Sequence, residues 1–189
     1  MCQSAAAAPV VYRYEVIPER SRVSFSFRGI ILPSDAYFGI VRGEILLPVG
    51  DGLEGASGRI EVETASVRAG DPIQERMLRD QVLEAERHPR AELRVPAARA
   101  SGPPGRRGRE RDWEAEGQGV LSLHGVERRV SLRFQIADTG AELYLRGEGE
   151  VRLSEFDMAR PATLLLMPGS DAVRVRVRLV AQPAPRPAK

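Results

Sequence analysis

Cysteine is nearly missing: Cys2 is the one thiol in 189 residues, so no intrachain disulfide can form. Histidine is almost as scarce. His88 and His124, with that lone cysteine, build no recognisable zinc site at the usual ligand spacings, and a metal role is not expected. Aromatic residues make up only 5%, too few for the two interfacial girdles of a transmembrane barrel. No apolar run approaches the roughly 18 residues of a spanning helix. There is also no Gly-x-Ser-x-Gly elbow, phosphate loop or dinucleotide fingerprint, and no cofactor is called for.

What is present is a chain of ordinary folded composition, 42% apolar and 29% charged, with 18 glycines and 14 prolines set between short alternating segments. The 28 basic residues are offset by 26 acidic ones to a net charge of +2, which argues against a nucleic-acid binder. The clearest basic cluster, Arg106, Arg107, Arg109 and Arg111, lies in a Gly/Pro-rich stretch and reads as a solvated hairpin loop.

Period two dominates. Val23, Phe25 and Phe27 alternate with Arg22, Ser24 and Ser26. Ile60 and Val62 alternate with Arg59, Glu61 and Glu63. Val130, Leu132, Phe134 and Ile136 oppose Arg129, Ser131, Arg133 and Gln135. Leu143, Leu145, Val151 and Leu153 repeat the theme, and Val173, Val175, Val177 and Leu179 oppose Arg174, Arg176 and Arg178. About eight or nine such segments, each with one face to bury, predict an antiparallel meander closed into a barrel. The polar face is dense in charge of both signs, so the apolar face is expected inside. His124-Gly125 and Thr139-Gly140 are read as tight hairpin turns. Gly117, Gly119, Gly147 and Gly149 fall within strands and suggest close packing at bends.

One stretch breaks the period. Asp71 to Glu86 reads as a helix, with Asp71 as N-cap, Pro72 in the first turn and Gln74 completing a capping box. Ile73, Met77, Leu78, Val82 and Leu83 would form its apolar stripe, fit to cover a barrel mouth. Asp80 is expected to pair with Arg76 on the helix surface rather than act as a catalytic acid. The expected class is therefore all-β with one short helix, a single up-and-down barrel, and no enzyme.

Three blocks then resemble the YceI-like family, which binds lipids in a lipocalin-like barrel. They are Ser21-Arg22-Val23-Ser24-Phe25 through Gly43; Val62-Glu63-Thr64-Ala65-Ser66-Val67 through Arg79-Asp80 to His88-Pro89; and Gly119-Val120-Leu121-Ser122-Leu123-His124-Gly125-Val126. Leu153 to Met158 and the final Arg/Val strand also fit, so the likeness runs from Tyr12 to Ala181. Departures fall at Arg22, Arg28-Gly29 and Met77-Leu78, near the expected mouth. The resemblance implies carriage or storage of a long apolar molecule, an isoprenoid, quinone or fatty-acid-like lipid, in the bacterial periplasm or cell envelope.

The expected organisation is a disordered tether over 1–11, the barrel over 12–181 and a Pro/Ala tail over 182–189. The tunnel would be lined by Val23, Phe25, Phe27, Tyr37, Ile60, Val62, Leu132, Phe134, Leu143 and Leu145, with Met77, Leu78 and Leu83 as lid. Core packing without a ligand would produce the same alternation. A rival reading is a filled barrel that presents its Arg-rich outer strands to a protein partner or an anionic surface. Cys2 reads equally as the lipid-bearing residue of a bacterial lipoprotein, tethering the chain to a membrane, or as a chance cysteine. Monomer and oligomer both stay open.

Overall fold

A computed structural model of the chain describes residues 11–27, 34–108, 110–158 and 171–185. The Cys2 tether and the last tail residues lie outside them. Twelve strands occur among the described residues: β1 (Val11–Val16), β2 (Arg22–Phe27), β3 (Ser34–Phe38), β4 (Val41–Pro48), β5 (Ser57–Glu63), β6 (Val67–Arg68), β7 (Arg90–Ala100), β8 (Gly105–Arg107), β9 (Glu110–Leu123), β10 (Val126–Asp138), β11 (Leu143–Arg152) and β12 (Ala172–Pro183). All pair antiparallel, in the order β1-β4-β5-β7-β9-β10-β11-β12, and β12 returns to β1. Eight staves thus close on themselves and leave no long free edge among the described residues.

The first stave is bent. β1 pairs with the end of β12 and β2 with its middle, because a short 3-10 turn at Pro18–Arg20 interrupts the ladder. Ser21 repairs the break: its hydroxyl donates to Val180 O at 3.2 Å and accepts from Val180 N at 3.1 Å. β3 and β6 extend the sheet beyond β2. Pro96, which has no N–H to give the ladder, sits where the register of β7 against β9 shifts between Arg94 and Ala97. β12 also runs to Pro183, two residues into the expected tail.

Alternation places the apolar residues inside. Val173, Leu179 and Ala181 of β12 are buried while Arg174 and Arg178 are exposed. The β9–β10 hairpin is tight, since Leu123 pairs with Val126 and His124 and Gly125 take φ of 54° and 78°. Thr139-Gly140 is looser, part of a four-residue loop closed by Thr139 and Glu142. Arg106 stays exposed in the β8–β9 hairpin, but Arg111 does not; it turns inward to Asp138. The side chains of Arg107 and Arg109 fall outside the described residues.

The helix is shorter than the apolar stripe suggests. α1 covers Pro72–Met77 and gives way to a π-helical turn over Leu78–Val82. Asp71 caps it, accepting from Ile73 N at 2.6 Å and Gln74 N at 3.2 Å. The side chain that reaches back is Glu75, which accepts from Ala69 N, rather than Gln74. Ile73 is 80% exposed, so the buried stripe is Leu78, Val82 and Leu83 alone. The wider turn brings those three onto one side, over the upper end of the barrel.

Candidate ligand cavity and its two ends

Inside the barrel is a cavity of about 210 Å³ walled almost wholly by carbon. Of the expected tunnel residues, Val23, Phe25, Ile60, Val62, Leu132, Phe134 and Leu145 line it, and Leu78 and Leu83 close it from the helix. Three do not. Tyr37 pairs with Ser24 on the outer face, its ring lying 4.1 Å beneath the Arg22 guanidinium. Its neighbour Phe38 takes the inward place and packs on Phe25 at 5.1 Å between ring centroids. Leu143 is fully buried but belongs to the far end of the core, and Met77 is half-buried to the side of the lid. Phe27 lies in β2, its side chain outside the described residues.

Sequence reasoning missed much of the wall: Ile45, Leu93, Val95, Leu121 and Leu123 all contribute. Room comes partly from glycine. Gly147 pairs with Phe134, and a Cβ added at Gly149 would meet only Leu132 Cδ2, at 3.7 Å. These positions hold no side chain where the opposing strand supplies bulk. Gly147 and Gly149 therefore make space for the cavity, whereas Gly117 and Gly119 sit close against β7, where an added Cβ would meet Ala97 O at 3.3 Å and Arg94 O at 2.9 Å.

The lower end is sealed by a polar network. Asp138, 2% exposed, accepts from Tyr14 Oη at 3.2 Å, from Gly140 N at 2.8 Å and from Arg111 Nη2 at 2.6 Å. The Arg111 guanidinium lies 5.3 Å from the Trp113 ring centroid, and Trp113 Nε1 donates to Asp51 O at 2.9 Å. A buried carboxylate needs such partners. Burial first, then the adjacent Asp138 charge and hydrogen bond, push the Tyr14 hydroxyl up to about 12. A raised folded value favours the neutral ring, so this stabilisation is complete below pH 10 and lost as pH rises toward 12. An alkaline spectrophotometric titration should therefore find Tyr14 ionising near pH 12, with unfolding in the same window.

The upper rim holds an arrangement that ligand spacing did not foretell. His88, in the turn before β7, and His124, in the β9–β10 turn, lie against each other at 4.1 Å between ring centroids, with the rings tilted. Glu84 joins them, its Oε1 3.5 Å from His124 Nε2. The three donor atoms all fall within 4.8 Å of one another. Thr64 anchors this corner, donating from Oγ1 to His88 O at 2.6 Å. Burial, then His124 and Arg87, lower the His88 value, which favours a neutral ring. Asp80, by contrast, is exposed and pairs with its neighbour Arg79 at 2.7 Å rather than with Arg76.

A closed eight-stave antiparallel barrel with charged walls, a greasy interior and a helical cover is a lipocalin-like binding barrel. The chain belongs to the YceI-like family, whose model matches residues 14–181. Solved structures of the same fold include Burkholderia cenocepacia BcnA, 19% identical over 88% of this chain and 99% of that one, with a TM-score of 0.73. A polyisoprenoid-binding domain from Saccharophagus degradans follows at 16% identity, 90% and 98% coverage and a TM-score of 0.69. The Campylobacter jejuni YceI protein is 17% identical over 79% and 85%, with a TM-score of 0.60. No curated protein matches the chain.

Proposed function

We propose that the protein carries or stores a long apolar molecule inside the barrel and does not transform it. The observation that carries this reading is the cavity itself: space of about 210 Å³ within a fold otherwise able to fill it, walled by Leu, Val, Ile and Phe. Protein interiors are close-packed, so an apolar void of this size loses dispersion contacts that a ligand restores. Burial of each methylene contributes about 0.8 kcal/mol, so a chain-like ligand gains affinity without polar recognition. An isoprenoid is the first candidate, since a relative of the same fold is described as polyisoprenoid-binding; quinone and fatty-acid chains share the chemistry. The place of action proposed is the periplasm or cell envelope, with Cys2 either a lipid-bearing tether or a chance cysteine. Native mass spectrometry of freshly purified protein, followed by organic extraction, tests the reading. One apolar adduct of defined mass per chain is expected; protein that stays bare after incubation with isoprenoids, quinones and fatty acids would rule it out.

A second reading concerns the outer wall. Arg146, Arg178 and Arg22 stand side by side across β11, β12 and β2, and none has an ion-pair partner among the described residues. Arg22 and Arg178, with Arg174 and Arg176, border a groove that also carries Ser24, Ser26 and Asp35. Other strand arginines find carboxylates, among them Arg59 with Glu92 and Arg94 with Glu127. Unpaired like charges in register repel, and an anionic bilayer surface would relieve them. The cavity weighs against a filled barrel, so this wall is proposed as a docking face of the carrier. Each basic residue near such a surface contributes about 1 kcal/mol. Replacing Arg22, Arg146 and Arg178 with Ser should weaken sedimentation with phosphatidylserine vesicles about 100-fold, and leave ligand loading unchanged.

A further inference from the structure

Glu84, His88 and His124 meet at the upper rim from two separate turns, and the carrier reading makes no use of them. We infer that these three side chains form a binding site for one divalent transition-metal ion of the zinc class.

The state of His124 carries the inference. Its side chain is only 9% exposed, its Nε2 is buried, and that atom finds no hydrogen-bond partner among the described residues. Buried polar atoms are nearly always paired, so an orphan aimed at a carboxylate points to an absent third party. Glu84 Oε1 stands 3.5 Å from it, beyond good hydrogen-bonding distance. A tetrahedral ion with bonds of about 2.0–2.1 Å holds its ligand atoms about 3.4 Å apart, so this edge is already formed. The other donor atom, on His88, is within 4.8 Å of both and needs a modest side-chain rotation to close. The rings are tilted by 43° rather than locked in a parallel stack.

The surroundings orient the donors. Arg87 Nη1 donates to Glu84 Oε2 at 2.7 Å and so turns Oε1 toward His124. Outer partners of this kind fix a metal ligand's direction. Glu84 and His124 both hold left-handed backbone, φ 43° and 54°, conformations that favour glycine and asparagine over these side chains. Two imidazoles and one carboxylate suit zinc and its neighbours, and suit calcium or magnesium poorly. Such an ion would tie the segment after the lid to the β9–β10 hairpin. Leu83 and Leu123, next to two of the ligands, line the cavity, so the ion would rivet the lid to the wall.

The test titrates Co²⁺ into the full chain carrying Cys2→Ser, which removes the one competing thiol. One equivalent should bind with visible d–d absorption of a low-symmetry site, and Zn²⁺ should displace it. His88→Ala and Glu84→Gln should each weaken binding about tenfold or more, with circular dichroism unchanged. Because His124→Ala risks the hairpin, the Cys2→Ser protein also decides by itself through imidazole NMR, where Zn²⁺ should shift both histidines together. Absence of saturable binding by the Cys2→Ser protein, or full affinity in a His88→Ala/His124→Ala double variant, would overturn the site.

Discussion

Gly149→Leu should empty the proposed carrier of its ligand and leave the barrel folded. Gly149 lies in the interior of β11, faces the cavity, and has ordinary strand backbone with nothing nearer than Leu132 Cδ2 at 3.7 Å to an added Cβ. A leucine there projects four carbons into a space of about 210 Å³. Excluding that much ligand chain forfeits about 3 kcal/mol at 0.8 kcal/mol per methylene, a loss of over 100-fold in affinity. Overpacking is not expected, because the side chain enters a void and a strand glycine is itself weakening. Loading measured by native mass spectrometry should fall accordingly while the melting temperature holds or rises. Loading equal to wild type would place the ligand elsewhere.

Asp138→Ala has an effect of similar size on stability. The substitution strips Arg111, Tyr14 and the Gly140 amide of their shared acceptor at the sealed end. Removing one member of a buried ion pair costs about 3 kcal/mol, because the partner charge is left desolvated, and for a chain of this length lowers Tm by about 10 °C. Two of the causes that raise Tyr14 are Asp138's charge and hydrogen bond, so its ionisation should also fall back toward the ordinary value in this variant. A melt identical to wild type would mean that water serves these groups as well as the carboxylate does.

Period two made the staves legible. β12 could be read outright, since every Val and Leu from 173 to 179 opposes an Arg. Where two aromatics stand together the period cannot choose: Tyr37 and Phe38 are equally hydrophobic in pattern, and only the pairing of β3 with β2 sends Phe38 inward. The lid is visible as an apolar stripe, but its spacing fits a π turn as well as an α-helix, and the π turn leaves Ile73 exposed and Met77 half-buried. The sealed end was not legible, because Tyr14 and Asp138 are separated by 124 positions and meet only on closure. The meeting of His88 with His124 was not legible for the same reason. Ligand-spacing rules describe donors on one turn or helix, whereas these sit in turns brought together by β7 pairing with β9.

The account rests most on where the ligand lies, and methyl NMR of Ile/Leu/Val-labelled protein loaded with a polyprenyl alcohol addresses that directly. Intermolecular NOEs should run from the ligand to Leu93, Leu132, Leu145, Val175 and Val177, all on the cavity wall. NOEs confined to Val11, Val49 and Ile73, which are exposed aliphatic residues among those described, would put the ligand on the outside and contradict the proposed carrier barrel.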